Sequence, residues 1–416
     1  MDTRRWIGVG RYDMGWYFYI AWAAIVAQLL YLYNAARNYH YALSRYGAKL
    51  RPGYQPRVAL IVPCKGLDAR FQLNIGSLLR QDYGDYRLFF VVEDSSDPAY
   101  AALCQAKETF GRDSRAQDVQ ILVAGPSTSC SQKIHNLLYA IGRVPDDMEV
   151  LAFADSDVCV PSDWLCHLVR PLKRDKYGLT TGYRWFIPAQ RNLPTFAMSA
   201  MNAAVAQLLG NTRFNLAWGG SMAMRAEDFR RLKVSEIWQN TLSDDLSLNR
   251  IVRRAGLAVR FVPTCLVPSF AATTWPDLYE FARRQFLITR VYAPGSWWLG
   301  FLSSLGSVAG LWGGLVLAAW AAANHAEYIS LYAAVPVVFG AGLIFRATLR
   351  QLMAVRILGE YLPQLAPAAI ADIVGCWLWS VLLFVFILSS AFGRTVRWRG
   401  IRYRLISPTR TQVLGS

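Results

Sequence analysis

Histidine and acidic residues are scarce in this 416-residue chain, and its cysteines form no pattern. The four histidines, His40, His135, His167 and His325, are scattered, which argues against a His-based hydrolase and against a metal site built on soft ligands. The seven cysteines are odd in number and lack paired short spacings, so neither a disulfide framework nor a zinc ribbon is indicated. There is no GxSxG elbow, no GxxxxGK(S/T) loop and no repeat period, so serine-hydrolase and P-loop chemistry lack their parts.

Charge is sparse and one-sided. Only 17% of residues are charged, and 44 Lys and Arg stand against 28 Asp and Glu, a formal net charge of +16. Such a surplus can mark nucleic-acid binding, but no recognised module or stacking-aromatic pattern accompanies it. Many of the arginines flank long apolar runs, where attraction to anionic headgroups explains the same charge. No nucleic-acid partner is expected.

What the chain does have is apolar length. Hydrophobic residues make up 54% of it, with 15 Trp and 21 Tyr, which excludes a disordered chain. Four runs, 16–36, 297–323, 328–345 and 368–392, come near or exceed the roughly 20 helical residues that cross a hydrocarbon core. Buried core helices are the alternative, but globular helices average about 11 to 12 residues. Trp16, Tyr17, Trp297 and Trp298 stand at run ends, where amphipathic rings favour the headgroup layer. The first run has no small-residue cleavage signal and exceeds a signal-peptide core, so it reads as a retained anchor.

Flanking basic residues set the orientation. Arg4, Arg5 and Arg11 precede the first run; Arg37, Arg45, Lys49 and Arg51 follow it, and Arg283, Arg284 and Arg290 precede the second. Both ends of the intervening segment therefore face the cytoplasm. The short loop 324–327 has no Lys or Arg and suits the opposite side. Three further crossings would separate the loop of Arg346, Arg350 and Arg356 from the tail of Arg394, Arg397, Arg399, Arg402 and Arg404. They share a side only if one run lies in the interface or re-enters. The expected organisation is an anchor over 1–50, a soluble domain over 51–295, membrane helices over 296–393 and a basic tail over 394–416. The protein is expected in the cytoplasmic (inner) membrane, multi-pass, with the soluble domain in the cytoplasm.

Within 51–295, short apolar strands alternate with helices. Residues 57–62, 88–92, 119–123 and 150–154 are continuous apolar runs, and 71–80 and 132–143 carry helical spacing between them. That pattern predicts an α/β domain with a parallel sheet covered on both faces. Ligands in such sheets bind beyond the strands' carboxyl ends. There the sequence places Pro63-Cys64-Lys65-Gly66, Glu93-Asp94 and Asp155-Ser156-Asp157. In an extended segment Asp155 and Asp157 point the same way. Two hard carboxylates without histidine suit Mg2+ or Mn2+ shared with substrate phosphates, although a bare DxD is also a common polar loop.

Taken in order, PCKG (63–66), VVED (91–94), SQKIHNL (131–137), ADSD (154–157), WGGSMAMR (218–225) and SDD (243–245) resemble the inverting glycosyltransferases of families 2 and 21. The nearest resemblance is to ceramide glucosyltransferases and their bacterial lipid-glycosylating relatives, and GRTVRWRGIRYRL (393–405) resembles the ending of the bacterial enzymes. The resemblance implies a GT-A, Rossmann-like domain beside transmembrane helices. It also implies a UDP-sugar donor, most simply UDP-glucose, a lipid hydroxyl acceptor such as ceramide, and a Mg2+ or Mn2+ cofactor.

The resemblance carries roles onto matching positions. Asp94, with Glu93 beside it, would bind uracil or ribose, and Pro63 and Lys65 would line the same pocket. Lys133 and Asn136 would lie near the nucleotide; Asp155 and Asp157 would hold the metal. Asp245 matches the catalytic base, with Asp244 as the alternate and one of the two a possible N-cap for a helix beginning near Leu246. Gly219 and Gly220 would allow close backbone approach to sugar or acceptor, or form a plain turn. Where relatives carry (Q/R)xxRW, this chain has Phe281, Arg284 and Gln285. That departure leaves the grip of Arg284 and Arg290 on acceptor or diphosphate open, against a membrane-surface role. A processive or polyprenyl-linked polysaccharide enzyme and a non-catalytic GT-A binding module are the remaining alternatives.

Overall fold

A computed structural model describes residues 15–47, 53–68 and 70–415, of Arg112 the backbone only. Arg4, Arg5, Arg11, Lys49, Arg51 and the expected boundary at 50/51 lie outside the described residues. The chain opens with α1 (Gly15–Arg45), followed by β1 (Val58–Pro63), α2 (Phe71–Leu79), β2 (Tyr86–Val92), α3 (Pro98–Phe110), β3 (Asp118–Val123), α4 (Gln132–Ile141) and β4 (Val150–Ala154). Next come α5 (Trp164–Val169), β5 (Tyr177–Pro188), α6 (Leu193–Ala206), β6 (Ser221–Arg225), α7 (Ala226–Arg231), α8 (Val234–Trp238), α9 (Asp244–Arg254), β7 (Ala258–Ala271) and α10 (Trp275–Tyr292).

These strands form one seven-stranded sheet in the order β3-β2-β1-β4-β6-β5-β7. β1 to β4 are mutually parallel, as the alternation of strands and helices predicts. β6 departs from that pattern: it runs antiparallel between β4 and β5. Side-chain alternation splits β1 and β2 between two cores. Leu60, Val62, Leu88 and Phe90 face one, and Ile61, Phe89 and Val91 the other. A sheet buried on both faces is the physical reason these strands read as unbroken apolar runs. This is the α/β, Rossmann-like arrangement expected of a GT-A domain.

The remaining helices are α11 (Pro294–Val308), joined through a π-helical turn at 309–313 to α12 (Gly314–Ala323), then α13 (Ile329–Ile357), α14 (Leu362–Val374) and α15 (Cys376–Ser389). Among the described residues three helices are long and apolar enough to cross a membrane: Gly15–Arg45, Pro294–Ala323 and Ile329–Ile357. α1 and α13 run side by side in the same direction. Tyr17 stacks on Tyr332 with ring centres 3.9 Å apart, and the Tyr46 hydroxyl donates to the Ile357 carbonyl at 3.2 Å.

The run 368–392, read from the sequence as one membrane helix, is two helices bent by 85° at Gly375. A Cβ there would sit 2.7 Å from the Ala371 carbonyl oxygen, which instead accepts a hydrogen bond from Trp379 Nε1 at 2.8 Å. Asp372 anchors α14 to α13, receiving Arg350 Nε and Gln351 Nε2 at 2.6 Å each. α15 then returns along α11, with Trp297 Nε1 donating to Ser390 Oγ at 2.8 Å. The tail is more than a basic extension: β8 (Thr395–Trp398), β9 (Ile401–Ser407) and β10 (Arg410–Gly415) form an antiparallel sheet. Its Val396, Tyr403 and Leu405 pack on Leu246, Leu287 and Tyr292 of the α/β domain. The bend brings the tail back to the side of that domain.

Candidate active site

Beyond the carboxyl ends of β1 and β4 lies a cavity of about 570 Å³. Capping sets the two helices that build its floor. Ser131 Oγ accepts from Ile134 N at the start of α4, placing Lys133 in the first turn. Ser243 Oγ accepts from Leu246 N at the start of α9. Ser243 is therefore the N-cap that the sequence reading sought in Asp244 or Asp245, and both carboxylates stand in the first helical turn, where the helix dipole favours negative charge.

Lys133 Nζ joins the acidic elements, 2.8 Å from Asp155 Oδ1 and 3.0 Å from Asp244 Oδ2. Burial opposes the charge on Lys133, but the carboxylates of Asp155, Asp244 and Asp245 outweigh it and push its pKa up. Burial likewise opposes ionisation of Asp155; Lys133, helped by Arg184 and Arg399, holds that carboxyl below the usual range. Asp244 differs: burial dominates, and its pKa rises to about 6. Gly219 is required here, since a Cβ would lie 2.3 Å from Asp244 Oδ2 and 2.8 Å from Lys133 Nζ. A Cβ on Gly220 would strike the Trp218 ring at 2.2 Å.

Asp245 is the more exposed of the pair. Its Oδ2 accepts from Gly219 N at 3.1 Å, and its Oδ1 accepts from Leu246 N at 2.7 Å and from Ser243 Oγ at 2.5 Å. The carboxylate is thus oriented from one side while it lines the cavity.

Asp157 lies 3.6 Å from Arg184 through Oδ2, while its Oδ1 is buried with no hydrogen-bond partner among the described residues. Burial and the charge of Asp155 raise its pKa to about 6. An orphaned, charge-crowded carboxylate oxygen beside a second carboxylate fits a hard divalent cation. Among the described residues no group of three or more His, Cys, Asp or Glu could hold a metal alone, so a metal on Asp155 and Asp157 would need further ligands of other kinds.

Residues 17–411 match glycosyl transferase family 21. The chain belongs to that family. A sequence comparison with curated proteins finds no match. Similar solved structures include the mannosyltransferase PcManGT from Pyrobaculum calidifontis in complex with GDP-Man and Mn2+, at 16% identity and TM-score 0.45, covering 89% of this chain and 96% of that one. Another is glucosyl-3-phosphoglycerate synthase from Mycobacterium tuberculosis with Mg2+ and UDP, at 14% identity and TM-score 0.36, covering 57% of this chain and 83% of that one. This family 21 member is a glycosyltransferase.

Of the residues singled out from its sequence, Pro63, Lys65, Lys133, Asn136, Asp155, Asp157, Gly219, Asp244, Asp245 and Arg284 line the one cavity. Asn136 is also structural, donating to the Val91 carbonyl at 3.3 Å and accepting from Gln132 Nε2 at 2.8 Å. Glu93 and Asp94 do not line the cavity. Glu93 turns to Lys65 Nζ at 2.6 Å, and Asp94 is an exposed residue accepting from Ser96 N at 2.7 Å, a bond that holds its carboxyl below the usual range.

Arg290 is a correction to the sequence expectation. Its guanidinium donates to the Ala391 and Gly393 carbonyls, and Arg283 Nη2 donates to that of Phe392 at 2.8 Å. These arginines clamp the link to the tail; neither lines the cavity. Arg284 does line it, together with Phe281 and Gln285, so the departed motif is still part of the site. Burial and the like charges of Arg184 and Arg399 lower the Arg284 pKa to about 10.

The sequence reading missed Arg184 and the tail. Arg184 packs over the rings of Phe186, Trp218 and Phe281 at 4.6, 5.5 and 5.6 Å, facing Asp157. Its segment GYRWF had no motif signal, although a charged residue within an otherwise buried aromatic strand was one available cue.

Proposed function

We propose that this family 21 enzyme transfers a sugar with inversion from a UDP-sugar, glucose being the favoured donor, to the hydroxyl of a ceramide or ceramide-like lipid. One observation carries the lipid reading. The same cavity that holds Lys133 with Asp155, Asp157, Asp244 and Asp245 continues over Met198, Met201, Val205, Leu209 and Phe286, an apolar wall suited to acyl chains. The resemblance to ceramide glucosyltransferases supports the choice of sugar and acceptor.

In this reading Pro63 and Lys65 border the nucleotide, with Asp94 and Glu93 beyond the cavity rim. Asp155 and Asp157 would hold Mg2+ or Mn2+, which when bound supplies Lewis-acid stabilisation of the departing diphosphate. Lys133 keeps Asp155 ionised and in place. Asp245 takes the proton of the lipid hydroxyl as its oxygen forms a bond to the anomeric carbon; the bond from that carbon to the UDP oxygen breaks on the opposite face, and UDP leaves with the electron pair. Gly219 N holds Asp245 for this task, and Phe281, Arg284 and Gln285 line the passage toward the acceptor.

α1, α11–α12 and α13 serve as the membrane spans, with the α/β domain at the cytoplasmic face of the inner membrane. The sequence expectation of a basic loop at Arg346, Arg350 and Arg356 is corrected, since all three lie within α13 and Arg346 and Arg350 are buried there; with α14 and α15 as a re-entrant pair, Arg356 at the end of α13 and the tail arginines stay on one side. Incubation of purified protein with a lipid extract, a panel of UDP-sugars and Mn2+, read by mass spectrometry, tests the assignment. A singly glycosylated sphingolipid is expected; long products or none from any lipid would overturn it.

A further inference from the structure

The tail sheet places Trp398, Arg399, Ile401 and Tyr403 on the wall of the active-site cavity. β8 and β9 pair through Trp398 and Ile401, so Arg399 and Gly400 form a two-residue hairpin turn. Both are left-handed, with φ of 48° and 87°. Asn, Asp and Gly favour the first position of such a turn, and an arginine there is under backbone strain. Strain kept at a cavity wall points to use of the side chain.

The surroundings of Arg399 indicate that use. Among the described residues its one ion pair is loose, 3.6 Å from Asp68 Oδ1, and half of its side chain is exposed. Asp68 lies just beyond the PCKG segment that follows β1. Arg399 is also close enough to act electrostatically on Asp155, Asp157 and Arg284. It lines the same cavity as the DxD carboxylates, from the C-terminal sheet.

We infer that Arg399 is a donor-binding residue: the hairpin presents its guanidinium to the diphosphate of the nucleotide-sugar, exchanging the contact with Asp68 for a charge-assisted one with phosphate oxygens. The inference rests on the nucleoside-diphosphate donor proposed above. It gives the C-terminal sheet a place in substrate binding and makes the tail a wall that closes on the donor.

The test is calorimetric titration of full-length protein in detergent with UDP and with UMP in the presence of Mn2+, for wild type, R399N and R402A. Asn suits the left-handed turn, so R399N keeps or raises Tm. Arg402 is an exposed arginine on the same hairpin outside the cavity wall. R399N is expected to bind UDP roughly tenfold or more weakly, with UMP affinity little changed and R402A like wild type. Unchanged UDP binding in R399N overturns the inference, as does equal loss for UDP and UMP or equal loss in R402A. Wild-type protein that binds neither nucleotide overturns the donor reading itself, and this inference with it. UDP binding at wild-type strength in R399N, with the wild type binding both nucleotides, overturns the role of Arg399 alone.

Discussion

Lys133 and Asp244 meet at 3.0 Å in the floor of the cavity, 111 positions apart in the chain, with Asp155 on the far side of the same ammonium at 2.8 Å. Through that one side chain the first turn of α4, the end of β4 and the first turn of α9 are tied together. The geometry makes Lys133 a structural as well as a chemical residue.

Replacing Lys133 by Met should therefore do more than slow turnover. It leaves the buried Asp244 and the half-buried Asp155 without their cation, and removing one partner of a buried pair typically destabilises by about 3–5 kcal/mol. Thermal unfolding of K133M should show a large drop in Tm together with loss of transfer activity. A variant with wild-type Tm would contradict the bridge.

Asp245→Asn removes the proposed base while retaining an oxygen that can still accept from Leu246 N or Gly219 N. A fall of roughly 10²–10⁴ in kcat is expected, with near-native Tm and little change in donor affinity. Full transfer activity by D245N in purified membranes would remove Asp245 from the mechanism.

Asp244 makes stability depend on pH. Its pKa of about 6 in the folded chain lies above the ordinary 3.8, so the native state holds a proton that the unfolded chain releases. The stability contributed is present below about pH 4 and lost as pH rises through about 6. Asp244→Asn lacks this titration. The Tm of D244N relative to wild type should increase between pH 4 and pH 7; a constant difference would show that Asp244 does not carry the effect.

The proposed metal site is tested at Asp157. Added Mn2+ should raise the Tm of the wild type by mass action, and chelation should abolish both this shift and activity. In D157N the shift should be much smaller at equal Mn2+. Equal stabilisation of the two proteins would place any bound metal elsewhere.

The tail and the α/β domain should be accessible from the same side of the membrane. A protease site or tag after Ser416 in sealed inner-membrane vesicles should react with the same sidedness as a surface cysteine introduced in the domain. Opposite sidedness would exclude the re-entrant reading of α14 and α15. Asp372→Ala, which leaves Arg350 buried without its carboxylate, should destabilise the same helix pair.

Much of this was legible in the chain itself. Continuous apolar runs at 57–62, 88–92, 119–123 and 150–154 announce strands buried on both faces, because such strands have no solvent side to carry polar residues. Ordered motifs brought Lys133, Asp155, Asp157 and Asp245 forward, since chemistry restricts the residue types at these positions. What could not be read were relations across long sequence separations. Arg184 has no local signature, because its role depends on Asp157 and on the rings of Trp218 and Phe281 from two other segments. Arg290, open in the sequence between a ligand contact and a membrane-surface role, donates to the Ala391 and Gly393 carbonyls, a contact visible only once that segment folds back against α10.

Hydrophobic length and basic flanks, properties of composition along a line, determined by themselves that the chain is built around apolar helices and an α/β domain. That 368–392 is two helices bent at Gly375, and that the tail forms a sheet lining a cavity, was decided only by tertiary structure. A single glycine elbow closed by Trp379, an ion pair between Arg350 and Asp372 and a three-stranded sheet seated on α10 are packing events. Their energies depend on partners that no local stretch of sequence contains.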